Sequence, residues 1–188
     1  AAGADEELME KFFETMELSA EDMAKGLKLG VREGSVCPVL CGSAATGMGV
    51  EMLMQTIVDL VPVATDMPAV AAEDDDGNAI EVAYDPNGTT AAFVFKTISD
   101  QYGKYSMIKV IRGKVTGDMS LYNMTTGNTE KLGRLYTMKG KKSEETKEIC
   151  CGDIGAIGKM DKVKTGDTLC EPKTYVKFAP LAFAPACY

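Results

Sequence analysis

The residues whose types and spacing best suit ligand binding form a short loop, Gly42-Ser43-Ala44, between a predicted strand and a predicted helix. Backbone N–H groups in such a loop can donate hydrogen bonds to the carbonyl of a guanine base, but the same small residues also make an ordinary strand-to-helix loop. No Gly-x-x-x-x-Gly-Lys-Ser/Thr segment occurs anywhere in the sequence. Because that pattern marks a phosphate-binding loop, we predict that this chain cannot hold a nucleotide phosphate and Mg²⁺ in such a loop.

The absence of histidine from the sequence restricts the chemistry further. It excludes Ser-His-Asp and Cys-His catalytic sites, and no pair of carboxylates stands apart from the acidic surfaces. The six cysteines include no Cys-x-x-Cys pair, so a zinc site would need four cysteines at unusual spacing. The acidic run at residues 73–78 lacks the spacing of a calcium loop. We predict no catalytic residue and no metal site.

Charge divides the chain, whose net charge is −8. Residues 1–89 contain 4 basic and 18 acidic residues, a net charge of −14, whereas residues 90–188 contain 16 basic and 10 acidic residues, a net charge of +6. An RNA-backbone patch and a solvated face of the fold are both compatible with the basic cluster of the second half. This cluster comprises Arg112, Lys114, Arg134, Lys139, Lys141 and Lys142.

The first part of the chain has the periodicity of helices around a single strand. Residues 5–13 and 19–30 predict helices, and residues 50–61 predict a third that Pro62 ends. The apolar run at residues 36–41 predicts a buried strand. Because one strand cannot form a sheet alone, we expect this part to be the last third of an α/β domain.

The second half has the pattern of short strands that reverse at polar turns. The dipeptide Gly-Asp recurs beside strand-like residues at 117–118, 152–153 and 166–167. Such a pattern indicates a sandwich or a small closed barrel. Strands are predicted at residues 92–98, 106–115, 120–123, 131–138, 153–158 and 167–170. Residues 139–148 are predicted to be a polar loop, and residues 64–90 a solvated linker or hairpin turn.

No apolar run of about 18 or more residues is present, and the first residues form an acidic helix. We therefore expect neither a membrane span nor a signal peptide. Because both ends lack a closing element, we also expect the chain to be a fragment of a longer protein.

Six segments combine into a specific pattern through their order. They are Val39-Leu40-Cys41-Gly42-Ser43-Ala44 with the Gly49-Val50 helix start, Ala92-Phe93-Val94-Phe95-Lys96, Arg112-Gly113-Lys114-Val115 with Gly117-Asp118, Leu132-Gly133-Arg134-Leu135, Cys151-Gly152-Asp153-Ile154, and Thr165-Gly166-Asp167-Thr168-Leu169-Cys170. In this order they resemble bacterial elongation factor G, of the translational GTPase family. The resemblance covers nearly the whole chain.

The resemblance implies an α+β fragment of several parts. Residues 1–66 would be the C-terminal piece of an α/β G domain, and residues 67–90 an acidic linker or hairpin. Residues 91–172 would form the second domain, an antiparallel β-barrel of the translation-protein type, with residues 107–118 as its central strand. Residues 173–188 would lead into the third domain.

The resemblance also implies a function, namely a ribosome-dependent GTPase that promotes translocation in protein synthesis by hydrolysing GTP to GDP and phosphate. Ser43 and Ala44 match the family's last guanine-recognition motif, whereas its phosphate loop and catalytic histidine would lie upstream. GTP or GDP and Mg²⁺ are thus expected in the full-length parent. We expect no cofactor on this fragment and no GTPase activity from it alone.

The implied partners are the small-subunit RNA and proteins of the ribosome and the remaining domains of the parent factor. The basic cluster is the expected ribosomal contact. The implied location is the cytoplasm, with no DNA or membrane partner.

Three departures from the family pattern leave alternatives open. Met138-Lys139-Gly140 stands where Met-His-Ala is common, Ser143 replaces a usual arginine, and residues 179–184 lack the usual Phe-Pro-Glu-Pro. A ribosomal-protection or recycling paralogue is one alternative. The uneven charge leaves a separate alternative, a stand-alone module in which the basic barrel binds RNA or the ribosome and the acidic helices act as an adaptor.

Overall fold

The computed structural model of the protein describes residues 2–100, 103–140, 142–182 and 184. The chain folds into two compact units, Ala1–Met67 and Pro68–Tyr188. The acidic stretch predicted as a linker or hairpin and the predicted C-terminal connector both contribute strands to the second unit. The compact part of the second unit is therefore longer at both ends than the predicted barrel.

The first unit is helical. Its elements are a 3₁₀ turn at Ala2–Ala4, α1 (Glu6–Thr15), α2 (Ala20–Glu33), α3 (Val50–Leu60) and a 3₁₀ turn at Ala64–Asp66. A capping box of Ser19 and Asp22 starts α2, as its sequence favours. This helix continues past its predicted end at residue 30 because Gly34, with φ of 76°, supplies the left-handed terminal residue.

The predicted strand at residues 36–41 is wrong. These residues belong to no strand, and Val39 is 88% exposed. In the described part of this unit, the β pairing is limited to an isolated bridge between Ser43 and Met48. A strand needs the N–H and C=O groups of a neighbouring strand, and the described residues of this unit provide none for the apolar run.

Helix α3 illustrates how little of the first unit is buried. It has no buried residue, and its apolar side chains, such as Leu53 and Ile57, are 44% exposed. Among the large apolar side chains described in this unit, Leu8 alone is buried. None of the helices in the described ranges has the length and hydropathy of a transmembrane span.

The described part of the second unit contains 13 strands. Their bounds are β1 Val70–Glu73, β2 Ala79–Val82, β3 Ala91–Asp100, β4 Gly103–Arg112, β5 Lys114–Thr116, β6 Ser120–Asn123, β7 Asn128–Lys131, β8 Leu135–Lys139, β9 Lys142–Thr146, β10 Glu148–Cys150, β11 Ile154–Gly158, β12 Thr168–Cys170 and β13 Lys177–Phe178.

All described strand pairs are antiparallel. Eight strands form one sheet in the order β7-β6-β12-β3-β4-β11-β8-β9, and β5 pairs with β10; we call these two sheets the barrel. The inward-facing residues of β4, Ile108 and Val110, are fully buried in its core. The predicted antiparallel barrel fold is confirmed, and β4 lies among the middle strands of the large sheet.

Glycines divide two of the predicted strands. The predicted strand at 106–115 is β4 and β5, separated at Gly113, whose φ is 69°. The predicted strand at 131–138 is the end of β7 and most of β8, separated around Gly133. The predicted polar loop at 139–148 is also wrong, because it contains β9 and the start of β10. Strand β9 is exposed on both faces, so it lacks the alternating apolar pattern that marks a half-buried strand.

Two of the three Gly-Asp dipeptides make the same backbone contacts. In the pairs at 152–153 and 166–167, the glycine N–H donates to the carbonyl of a buried valine, Val110 or Val94, at 2.7 Å. The valine N–H in turn donates to the aspartate carbonyl, at 3.1 and 2.9 Å. Each of these turns therefore adds two backbone hydrogen bonds along a strand of the barrel.

A second layer covers part of the barrel's outer face. It is a three-stranded sheet in the order β13-β1-β2, and it buries a separate apolar cluster against β3 and β4. The ring of Phe178 meets that of Phe93 edge-on, with centroids 6.3 Å apart. This layer consists of the strands that lie outside the predicted barrel boundaries.

Candidate functional site

The loop that contains Ser43 is closed at its base. The Ser43 N–H donates to the Met48 carbonyl at 2.9 Å. A Cβ on Gly42 would lie 2.9 Å from that same carbonyl oxygen, and one on Gly49 would lie 2.6 Å from the Cys41 oxygen. Both positions therefore require glycine, and the loop surrounds a cavity of about 280 Å³.

The two residues predicted to contact guanine differ in what they can offer. The Ser43 N–H is used within the loop, which leaves its hydroxyl as the donor for a ligand. Within the described residues, neither that hydroxyl nor the Ala44 N–H donates to another protein group. The arrangement thus presents one hydroxyl and one amide side by side, and guanine recognition by Ser43 and Ala44 stays a prediction.

The structure divides the predicted basic cluster. Lys141 lies outside the described residues. Arg112 is held by Thr89, with Nε 2.8 Å from its carbonyl oxygen and a terminal guanidinium nitrogen 2.7 Å from its Oγ1. Its side chain also packs over Gly88. Arg112 therefore fastens the end of β4 to the segment before β3.

Three of the other basic residues form ion pairs with glutamates. Lys114 pairs with Glu148 at 3.1 Å, Arg134 with Glu145 at 3.3 Å, and Lys139 with Glu144 at 2.9 Å. All six side chains are about half exposed or more. Exposed pairs of this kind contribute only about 0–1 kcal/mol, so the basic groups can exchange these partners for another anion.

The hairpin of β8 and β9 brings part of the cluster together. Lys142 stands opposite Lys139 in the ladder, and Arg134 directly precedes β8. Beside Arg134, a cleft of about 500 Å³ opens between the hairpin and the turn after β5. Lys147 and Asp118 also line it. Lys147 was not among the residues predicted from the sequence, although Lys139, Lys141 and Lys142 of the same segment were.

Five cysteines lie in the described ranges of the chain. They are free thiols, and burial raises the pKa of Cys151 and of Cys170, which lowers the fraction of reactive thiolate. No group of three or more potential metal ligands comes together in the described ranges of the chain.

The buried polar network around Asp167 is structural. The Asp167 carboxylate accepts hydrogen bonds from Asn123 Nδ2 at 2.8 Å and from the Lys164 N–H at 2.9 Å. The amide oxygen of Asn123 accepts from the N–H groups of Thr125 and Thr126. The Gly-Asp motif marks the turn in the sequence, but nothing in the local pattern indicates its partner 44 residues away.

Comparison with known proteins gives a consistent result. Residues 89–172 match the family model for elongation factor G domain 2. The chain is 38% identical over 181 residues to elongation factor G of Ureaplasma parvum serovar 3, and 37% identical to that of Ureaplasma urealyticum serovar 10. These alignments cover 96% of this chain and 26% of each relative.

A crystal structure of a Thermus thermophilus protein superposes with a TM-score of 0.72 and 25% identity. The match covers 98% of this chain and 25% of that one. The chain thus spans about a quarter of the length of the relatives that it matches. It is similar to elongation factor G along almost all of its own length, and residues 89–172 match the family model of the second domain of that factor.

Proposed function

We propose that this chain is part of a ribosome-dependent GTPase that promotes translocation in protein synthesis. The observation that carries the proposal is the 38% identity to elongation factor G over 96% of the chain, because it includes both units in one order. The activity would belong to the longer polypeptide, since the chain spans about a quarter of such a relative.

The first unit would complete a guanine pocket in that longer protein. The Ser43 hydroxyl and the Ala44 N–H are the donors that it would contribute. GTP or GDP with Mg²⁺ would be bound mainly by upstream residues, because no phosphate-loop motif is present in this sequence. This chain by itself would neither bind GTP tightly nor hydrolyse it.

The barrel would dock on the small ribosomal subunit in the cytoplasm. The β8–β9 hairpin is the preferred contact, because Lys139 and Lys142 face each other there and Arg134 borders the adjacent cleft. Phosphate groups of RNA would replace Glu144 and Glu145 as partners of the basic side chains. The remaining domains of the parent factor would be its other partners.

A chimera tests the proposed activity. Replacing the matching segment of the Ureaplasma parvum factor by this chain is expected to preserve ribosome-stimulated GTP hydrolysis and translocation. The unaltered factor is the positive control, and calorimetry of this chain alone should detect no GTP binding. A chimera that folds and binds GTP but is not stimulated by ribosomes would contradict the docking role and favour a separate binding module.

RNA binding by the hairpin gives an independent prediction. The double variant Lys139→Gln, Lys142→Gln should weaken binding to a small-subunit RNA segment, and each lost phosphate contact should reduce the salt slope of log K by about 1. Glu144→Gln should strengthen binding, because it removes the competing partner of Lys139. Filter binding over a salt series measures both effects.

Lys177→Gln is the matched control for RNA binding, since Lys177 is an exposed lysine on β13, in the three-stranded sheet, and also pairs with a glutamate, Glu73, at 3.7 Å. Equal weakening by the control and the hairpin variants would show that the interaction depends on overall charge and not on the hairpin.

A further inference from the structure

The apolar cluster between the three-stranded sheet and the barrel is not closed on one side. A groove of about 280 Å³ remains there, within the second unit. Its principal lining residues are Phe93, Phe95, Lys109, Ile111, Ile154 and Phe178. Ile111 and Phe178 are buried at the inner end, whereas Ile154 is 55% exposed at the outer end. The groove therefore extends from the covered cluster to open solvent.

A β-bulge supplies one wall of this groove. The ladder between β3 and β4 shifts between Val94 and Lys96, so Phe95 has no partner on β4. A bulge bends its strand and re-aims a side chain, and bulges are common next to binding sites. Here the half-buried Phe95 lines the groove instead of packing under the second layer. Its ring is available to an incoming apolar group.

The charge in the groove comes from Lys109. In the sheet, Lys109 stands opposite Phe93 on one side and Ile154 on the other. Its ammonium lies 5.3 Å from the centre of the Tyr84 ring, and it makes no ion pair with any residue that the structure describes. The groove therefore combines an apolar floor with one half-buried cation that lacks an anionic partner there.

We propose that this groove binds a partner protein through a peptide segment in which a bulky apolar side chain stands next to an acidic residue. The apolar side chain would cover Phe93, Phe95 and Ile154, and the carboxylate would pair with the Lys109 ammonium. The volume lies just below the range of about 300–1,000 Å³ for small-molecule pockets, and it suits one large side chain. The proposal is independent of the RNA contact proposed for the hairpin.

The chemistry of the groove favours a peptide over RNA. RNA binding draws most of its affinity from several phosphate contacts, whereas Lys109 is the one cation among the described lining residues. The other lining side chains that the structure describes are apolar and offer no hydrogen bonds to the edges of a base. An apolar anchor beside a single carboxylate satisfies both features of the groove.

Amide NMR titration of the whole chain tests the proposal. The probes are the capped peptides acetyl-Gly-Phe-Asp-Gly-amide, its Lys analogue with Asp replaced, and its Ala analogue with Phe replaced. Saturable shifts at Phe95, Lys109 and Ile154 are expected with the Phe-Asp peptide and much weaker ones with the other two. Equal affinity for all three peptides, or no saturable shift at these residues, would overturn the proposal.

Two variants sharpen this test. Lys109→Glu should reverse the preference, so that the Phe-Lys peptide binds more tightly than the Phe-Asp peptide, while Lys131→Glu should change neither affinity. Ile154→Asp should abolish binding without unfolding the barrel, because its side chain is already exposed. Unchanged peptide binding by Lys109→Glu and Ile154→Asp, or preferential shifts with a single-stranded oligonucleotide at the same residues, would show that the occupant is misassigned.

Discussion

Replacing Gly133 by alanine is expected to lower the free energy of unfolding of the barrel by about 3 kcal/mol or more. A Cβ at this position would overlap the carbonyl oxygen of Gly158, which is backbone and not a flexible side chain. At this point the two backbone segments are held together by the hydrogen bond from the Gly158 N–H to the Arg134 carbonyl, at 2.9 Å. Removing the overlap between the added Cβ and the Gly158 carbonyl oxygen would therefore require β8 and β11 to separate.

Denaturant unfolding followed by tyrosine fluorescence measures this effect. All seven tyrosines lie in the second unit, so the signal reports on that unit alone. Gly117→Ala is the matched control, because Gly117 has no positive φ and nothing within 4 Å of an added Cβ. A Gly133 variant as stable as the Gly117 variant would mean that the two strands are farther apart than the structure places them.

Removal of the Asp167 side chain is expected to have the second-largest effect. Asp167→Ala leaves Asn123 Nδ2 and the Lys164 N–H without their acceptor in a buried site. An unsatisfied buried donor costs about 1–3 kcal/mol, so we expect a loss of about 2–4 kcal/mol. The same denaturant experiment measures it.

The conservative replacement separates hydrogen bonding from charge. Both donors bind the same carboxylate oxygen of Asp167, and Asp167→Asn keeps one oxygen there, so it should retain at least about 1 kcal/mol more stability than Asp167→Ala. Asp153→Ala is the control, since Asp153 belongs to the equivalent Gly-Asp turn but has an exposed side chain. Equal losses at positions 153 and 167 would show that the turn and not the buried network is responsible.

The barrel could be predicted where one strand carries its own pattern. Strand β4 is rich in residues that favour strands, and in the structure it alternates half-buried and buried residues along most of its length. The Gly-Asp turns could be predicted equally well, because glycine supplies the positive φ that two of them require. Local signals were sufficient for these elements.

Elements that depend on distant partners could not be predicted in this way. Strand β9 exists because it pairs with β8, although its own residues are exposed and polar. The run at 36–41 has the opposite property, since its residues favour a strand but find no partner among the described residues. Sheet pairing outweighed propensity in both cases.

The candidate site shows the same limit. The sequence placed the basic residues close together, but it did not reveal that Glu144, Glu145 and Glu148 pair with three of them. Those glutamates lie in β9 and β10, within the segment predicted to be one loop. The commitment of Arg112 to Thr89 likewise depends on a residue 23 positions earlier in the chain.

The position of β12 between β3 and β6 has a consequence for synthesis. In the order of synthesis β4 follows β3 directly, whereas β12, which pairs with the other edge of β3 through Phe93 and Thr168, is made much later. At about 5–20 residues per second, the interval between Arg112 and Cys170 lasts on the order of 3–12 s. A chain that has formed the β3–β4 pair by then would expose an unpaired apolar edge during that interval, so rapid completion of the barrel would protect it against aggregation.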